Sequence, residues 1–458
     1  MAAQSPLTEK ERTCAVELLR GIIPEEDIPA YALNDSPSTV YTTLVTLWML
    51  TLQRLGGGKS LETIIKEVQA FDRPLLPDNK RVREGRLSKK SGAYSRARNR
   101  LPIETARMFA ERVSQSLIDR SPPWFDDCRA FIIDGTTIAL TPTSDLRVAY
   151  PPAKNQHGET VWPIMMLMVA HELESGCALI PEFGAKYGPD NTSEARQATA
   201  IGRRIPRGSL VLADAGFGIF SVAYAMIGEA HNILFRLTKS RFKALRRQAE
   251  LIEKTPSSAR YRLTWVPSKR DRDGNPDLPA NAQLEVFLHE VELKNGESLY
   301  MVTTLAVTSD LAAEYYGRRY DVEHDIRDVK VSLGIENIRA KSDEMVQKEL
   351  LCSIVAYNLV VQLRREAAKV AGVKPRRLSF TGVWTTMQVC LLQQPPCSAS
   401  EWLERYENAL RIAATHKLPN RPGRSYPRRA HPRRTKSTNF MKQENKKSAA
   451  EKHHEKSK

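Results

Sequence analysis

Residues 314–334 read EYYGRRYDVEHDIRDVKVSLG. Wound as a helix at about 100° per residue, with Tyr316 at zero, Arg319 falls near 300°, Glu323 near 340° and Lys330 near 320°. The four polar side chains share an arc of roughly 60°, and Tyr315, Val322, Ile326, Val329 and Leu333 form an apolar stripe beside it at roughly 220° to 280°. The polar edge therefore faces whatever the helix packs on. Ser309 and Asp310 are expected to open this helix and Gly334 to close it. On its own the pattern also fits an amphipathic helix with surface ion pairs.

Two aspartates upstream give it weight. Asp134 follows the apolar run Ala130-Phe-Ile-Ile133, and Asp214 follows Leu210-Val-Leu-Ala213. Both runs are short and apolar, as buried strands are. A carboxylate at the end of a buried strand needs a partner, because desolvating its charge is costly. If the strands are neighbours in one sheet, the two carboxylates meet and repel. A divalent cation removes that conflict, and an oxygen-only donor set suits Mg²⁺ or Mn²⁺. Glu323, brought in by the helix, completes a three-carboxylate site of the kind that holds two ions for in-line phosphoryl displacement. Arg319 and Lys330 are then placed to contact phosphates, and Tyr316 to hydrogen-bond or stack at a DNA end.

The rest of the 458-residue chain supplies a setting. Residues 1–120 read as mainly helical, and 121–415 as an α/β layer with a mixed sheet. Residues of about 241–300 form a β-rich stretch, with alternating apolar positions at Tyr261, Leu263 and Trp265 and at Leu284, Val286 and Leu288. Helices follow, including a strongly apolar one over 342–372. Formal net charge is +16, which points to a polyanionic partner. Segment 80–102 holds nine Lys or Arg against one acid, Glu84, and reads as a phosphate-contacting surface. From Lys417 onward there are fourteen Lys or Arg and three Glu, so the 416–458 tail is expected to be disordered and to cling to nucleic acid.

Tyr316-x2-Arg319-x3-Glu323-x6-Lys330 resembles, without a gap, the Y-R-E-K signature of a branch of the DDE insertion-sequence transposases. The turn DAGF at 214–217, SGAYSRARNRLP at 91–102 and NRPGRSYPRR at 420–429 are also similar to that family. The resemblance spans about residues 90–435. It implies a ribonuclease H-like mixed sheet with helices, interrupted by a β-rich insertion before the glutamate helix, behind a helical N-terminal DNA-binding domain. It implies Mg²⁺- or Mn²⁺-dependent excision of an element at its inverted-repeat ends, often through a hairpin, and strand transfer into target double-stranded DNA by two paired subunits. Asp134, Asp214 and Glu323 become the catalytic metal ligands, and Arg236 and Lys239 further DNA contacts. Where the family often has Trp after the signature arginine, this chain has Tyr320, an aromatic that can still stack on a flipped base.

Two other functions stand beside this one: a metal-dependent nuclease with the same site but no strand transfer, and a DNA-binding protein that has lost the chemistry or works as a repressor, against which the intact set of three acids speaks. His171, His289 and His324 receive no catalytic role. GGGKS at 56–60 has Gln53 where a phosphate-loop glycine would stand, which argues against ATP use. The six scattered cysteines form no C-x-x-C pair and read as reduced, mostly buried thiols of a cytosolic protein; the resemblance implies a bacterial, DNA-associated one. The longest apolar run, Pro163–Ala170, is far too short to span a membrane.

Overall fold

The computed structural model describes residues 12–419 apart from 24–26, 28–34, 126–127 and 157. Within it, ten strands make one mixed sheet. They are β1 (Ala130–Ala139), β2 (Pro152–Asn155), β3 (Gly158–Glu172), β4 (Glu182–Ala185), β5 (Leu210–Ala213), β6 (Asn232–Arg236), β7 (Glu250–Lys254), β8 (Ser258–Trp265), β9 (Leu284–Glu292) and β10 (Ser298–Thr303). The order is β2-β3-β1-β5-β6-β10-β9-β8-β7, with β4 on β3. β1 runs antiparallel to β3 and parallel to β5, and β5 runs parallel to β6.

The register fixes the aspartates. Ile132 pairs with Leu212 across β1 and β5, so Asp134 and Asp214, each two residues further on, come level on neighbouring strands. Alternate residues of a strand share a face. Ala130, Ile132, Leu210, Leu212 and Leu234 belong to a core that also contains Ala312, Tyr316 and Val322. Phe131, Ile133, Val211, Ala213 and Phe235 face the larger core on the other side of the sheet. Parity therefore sends both carboxylates toward residues 309–327.

The β-rich stretch extends this same sheet: β10 pairs antiparallel with β6, and β9, β8 and β7 follow outward. The expected alternation holds, with Leu284, Val286 and Leu288 buried. The outermost strand, β7, is exposed throughout and charged at Glu250, Glu253 and Lys254, which discourages edge-to-edge pairing.

The opening helix differs from a uniform one. It opens at Ser309 and Asp310 as expected, behind the N-cap Thr308, whose hydroxyl accepts from the Leu311 amide. Regular helix over Ser309–Gly317 gives way to a 3₁₀ turn at Arg318–Tyr320, helix at Asp321–Arg327 and a π turn at Asp328–Ser332. Gly334 then ends it in the left-handed region, at φ 65°. Tighter winding and then looser winding replace the even angular step of a uniform helix.

The helix Asp343–Ala371 is buried along most of its length and packs against helices Thr43–Leu55 and Ile103–Asp119. Its Asn358 accepts from the Ala178 amide at 2.9 Å and donates to the Ala178 carbonyl and to Ser114, so the amide is satisfied inside the core. Residues up to Leu418 form one compact unit. The tail reading falls outside the described residues beyond 419.

Candidate functional site

Arg319 is the centre of the site. It is 8 % exposed. Its Nη2 lies 3.2 Å from Asp134 Oδ2 and 3.6 Å from Asp214 Oδ2, and its Nη1 donates to Glu323 Oε1 at 3.1 Å. Three carboxylates separated by 80 and 109 positions in the sequence thus converge on one guanidinium. The strand parity brings in the two aspartates, and a single helical turn brings Glu323 over Arg319.

The remaining aspartate oxygens are held by backbone. Asp134 Oδ1 accepts from the Gly135 amide and Asp214 Oδ1 from the Gly216 amide, both at 2.8 Å. Gly218, in the same turn, is required by space: a Cβ there would lie 2.4 Å from the Arg236 carbonyl oxygen. Burial pushes the Asp134 carboxyl up to about 6; Arg319 opposes the rise, while Asp214 and Glu323 add to it by repulsion. Arg319 is held above the usual arginine range, because Asp134, Tyr316, Asp214 and Glu323 outweigh the cost of its burial.

Other sequence candidates are placed as follows. Tyr316 is 4 % exposed and packs in the smaller core, so its ring is not presented for stacking in this conformation; burial raises its hydroxyl pKa. Tyr320 is 56 % exposed, with the Arg319 guanidinium carbon 5.8 Å from its ring centre. Lys330 reaches β1, donating to Thr136 Oγ1 at 3.2 Å and the Thr137 carbonyl at 3.0 Å, and it pairs with Glu336 at 3.2 Å. Arg236 ends β6 on the same face as Leu234, exposed, and Lys239 opens the helix Lys239–Arg246, also exposed. Neither is ion-paired with the three acids among the described residues. Eight of the nine cations of 80–102 are exposed; Arg98 is the exception, buried in an ion pair with Glu349.

Sequence reading missed the supports of this site. Arg376 donates to both oxygens of Asp325 at 2.8 Å and lies 3.6 Å from Asp321. Arg318 joins Asp321 to Glu174. Burial works against ionising Asp325, but Arg376 and then His171 prevail and hold it below the ordinary carboxylate range. These contacts clamp the back of the segment whose front carries Glu323. At its end, buried Arg54 donates to the carbonyls of Leu333 and Gly334 at 3.3 and 2.7 Å. The four-residue spacing of Asp321 and Asp325 was visible, but no local pattern points to an arginine 51 positions away.

Among the described residues no three His, Cys, Asp or Glu side chains are gathered closely enough to hold a metal ion as they stand, since Arg319 lies among the three acids. The donor chemistry nevertheless suits a hard divalent ion: carboxylate oxygens only, one from β1 and one from the residue that follows the neighbouring strand β5. Among the described residues no helix is long and apolar enough to cross a membrane.

The profile of a family described as "Transposase DDE domain" matches residues 127–359, a little over half of the chain. A transposase of Escherichia coli (strain K12), InsG for insertion sequence element IS4, is 22 % identical over 350 residues, which cover 73 % of this chain and 75 % of that protein.

Proposed function

Since the chain belongs to the transposase DDE domain family, we propose that it excises an insertion sequence at its inverted-repeat ends and transfers the released strands into target double-stranded DNA. The observation that carries this reading is the convergence of Asp134, Asp214 and Glu323 on Arg319 at the edge of the smaller core. The Escherichia coli relative, a transposase for an insertion sequence element, supports the choice of substrate.

In this reading Asp134, Asp214 and Glu323 hold Mg²⁺ or Mn²⁺. When bound, the ion supplies Lewis-acid stabilisation to the attacking and leaving oxygens of a phosphodiester. The protein's own groups set the rest. The Gly135 and Gly216 amides fix the rotamers of the two aspartates. Arg319 and Lys330 contact phosphates, the first as a fork and the second as a point charge. Tyr320, exposed beside Arg319, stacks on a base, with Tyr316, Arg236 and Lys239 as further DNA contacts. The helical 1–120 region and the basic tail add sequence-independent affinity. Two subunits pair two ends, and the setting is the DNA-bearing cytoplasm of a bacterium.

The test is a duplex carrying the element's end, incubated with Mg²⁺ and a second target duplex. The parent protein cuts at the end and joins it to the target, while Glu323→Gln binds the end with near-parental affinity and does neither. Cleavage by Glu323→Gln at the parental rate would refute the site. Cleavage by the parent without any joining would leave a nuclease.

A further inference from the structure

Among the described residues Arg319 is the sole cation ion-paired with Asp134, with Asp214 or with Glu323. Of the six carboxylate oxygens, three face Arg319, and two are engaged by the Gly135 and Gly216 amides. The sixth, Glu323 Oε2, has no partner among the described residues. The guanidinium thus sits on the same oxygens that point to the common centre of the cluster. A divalent ion cannot take that centre while the guanidinium remains, because the two cations would compete for one set of lone pairs and repel each other. Without Arg319, three carboxylates would face one another uncompensated, and like charges at such range drive each other apart or force proton uptake.

We propose that Arg319 is a positioning residue that stands in for the metal: it gathers the three acids in the metal-free protein, and the incoming divalent ion displaces it toward DNA phosphate. This rests on the reading that the three acids hold a metal. The displaced side chain has a short way to the surface, since Tyr320, the next residue of the 3₁₀ turn Arg318–Tyr320, is 56 % exposed. Metal loading and the phosphate contact of Arg319 are then linked, and linkage is reciprocal: DNA that draws off the guanidinium raises metal affinity by the same factor.

Calorimetric titration of the full chain with Mn²⁺, without DNA, tests the proposal. Arg319→Gln is expected to bind Mn²⁺ about tenfold or more tightly than the parent, within the range of typical coupling between sites. Arg319→Lys, a single point charge, should fall between. Thermal melts supply a second readout: in EDTA the Gln variant unfolds at a lower temperature than the parent, and Mn²⁺ raises its midpoint by more than it raises the parent's. A merely structural arginine would give the EDTA loss without the larger Mn²⁺ gain. Equal or weaker Mn²⁺ binding by Arg319→Gln overturns this proposal alone. Absence of Mn²⁺ binding by both proteins overturns it together with the metal-site reading.

Discussion

Replacing Arg376 with methionine removes the charge but keeps most of the side chain's length. The partner left behind, Asp325, is 1 % exposed and accepts two hydrogen bonds from Arg376 at 2.8 Å. Breaking a buried pair from one side costs about 3–5 kcal/mol, because a charge stays buried without compensation. His171 Nδ1 lies 3.7 Å from Asp325, and Arg364 also pulls its titration down, so the loss should fall near the lower end, about 3 kcal/mol. The deficit depends on pH. In the parent, Asp325 has a lowered pKa, so its contribution is present at neutral pH and lost as the pH falls through that lowered value. In the variant, burial without Arg376 raises the pKa, and protonation relieves the strain; the deficit is therefore larger at neutral pH than in mild acid. Urea denaturation at both pH values measures it. Arg376→Met with Asp325→Leu should recover most of the loss, since an apolar pair of similar volume is often neutral or better. A single variant within about 1 kcal/mol of the parent, or a double variant no better than the single, would refute the clamp.

Three further outcomes follow from the same structure. His289 is fully buried, with Nδ1 3.0 Å from Ser309 Oγ, and burial, then Arg260, lowers its pKa to about 4. A histidine held neutral favours folding above its unfolded pKa, so stability should decline as pH falls from the ordinary histidine range toward 4, by up to about 3 kcal/mol; an asparagine variant, followed by melting across pH, should show a flatter profile. Gly218→Ala places a Cβ 2.4 Å from the Arg236 carbonyl and should cost about 1–3 kcal/mol in a urea titration, with DNA cleavage impaired because the turn also carries Asp214. Arg54→Met frees the Leu333 and Gly334 carbonyls and removes one of the two arginines paired with Glu349 among the described residues, so protection of the 333–341 amides against hydrogen exchange should drop while that of β5 stays.

The sheet and the acids were largely legible in the sequence. Apolar runs before Asp134 and Asp214 marked the strands, and period two then decided which way both carboxylates face. Gly334 announced its helix end by needing φ 65°. Ser309 and Asp310 open the helix as read; which of the adjacent residues Thr308, Ser309 and Asp310 serves as the cap is selected by backbone geometry, which makes it Thr308. The 3₁₀ turn Arg318–Tyr320 and the π turn Asp328–Ser332 left no trace in residue type. Arg319 is expected at a phosphate, and in the structure it lies among the three acids. A guanidinium serves either anion, so sequence could not choose. Arg376 and Arg54 were invisible for another reason: their partners are distant along the chain, and long-range pairing leaves no periodic signal.

Anomalous diffraction from crystals grown with Mn²⁺ tests the central claim most directly. The account predicts density at about 2.0–2.2 Å from carboxylate oxygens of Asp134, Asp214 and Glu323, with Arg319 turned away. Manganese bound elsewhere, or the guanidinium still seated among the three acids in a protein that cuts DNA under the same conditions, would contradict it.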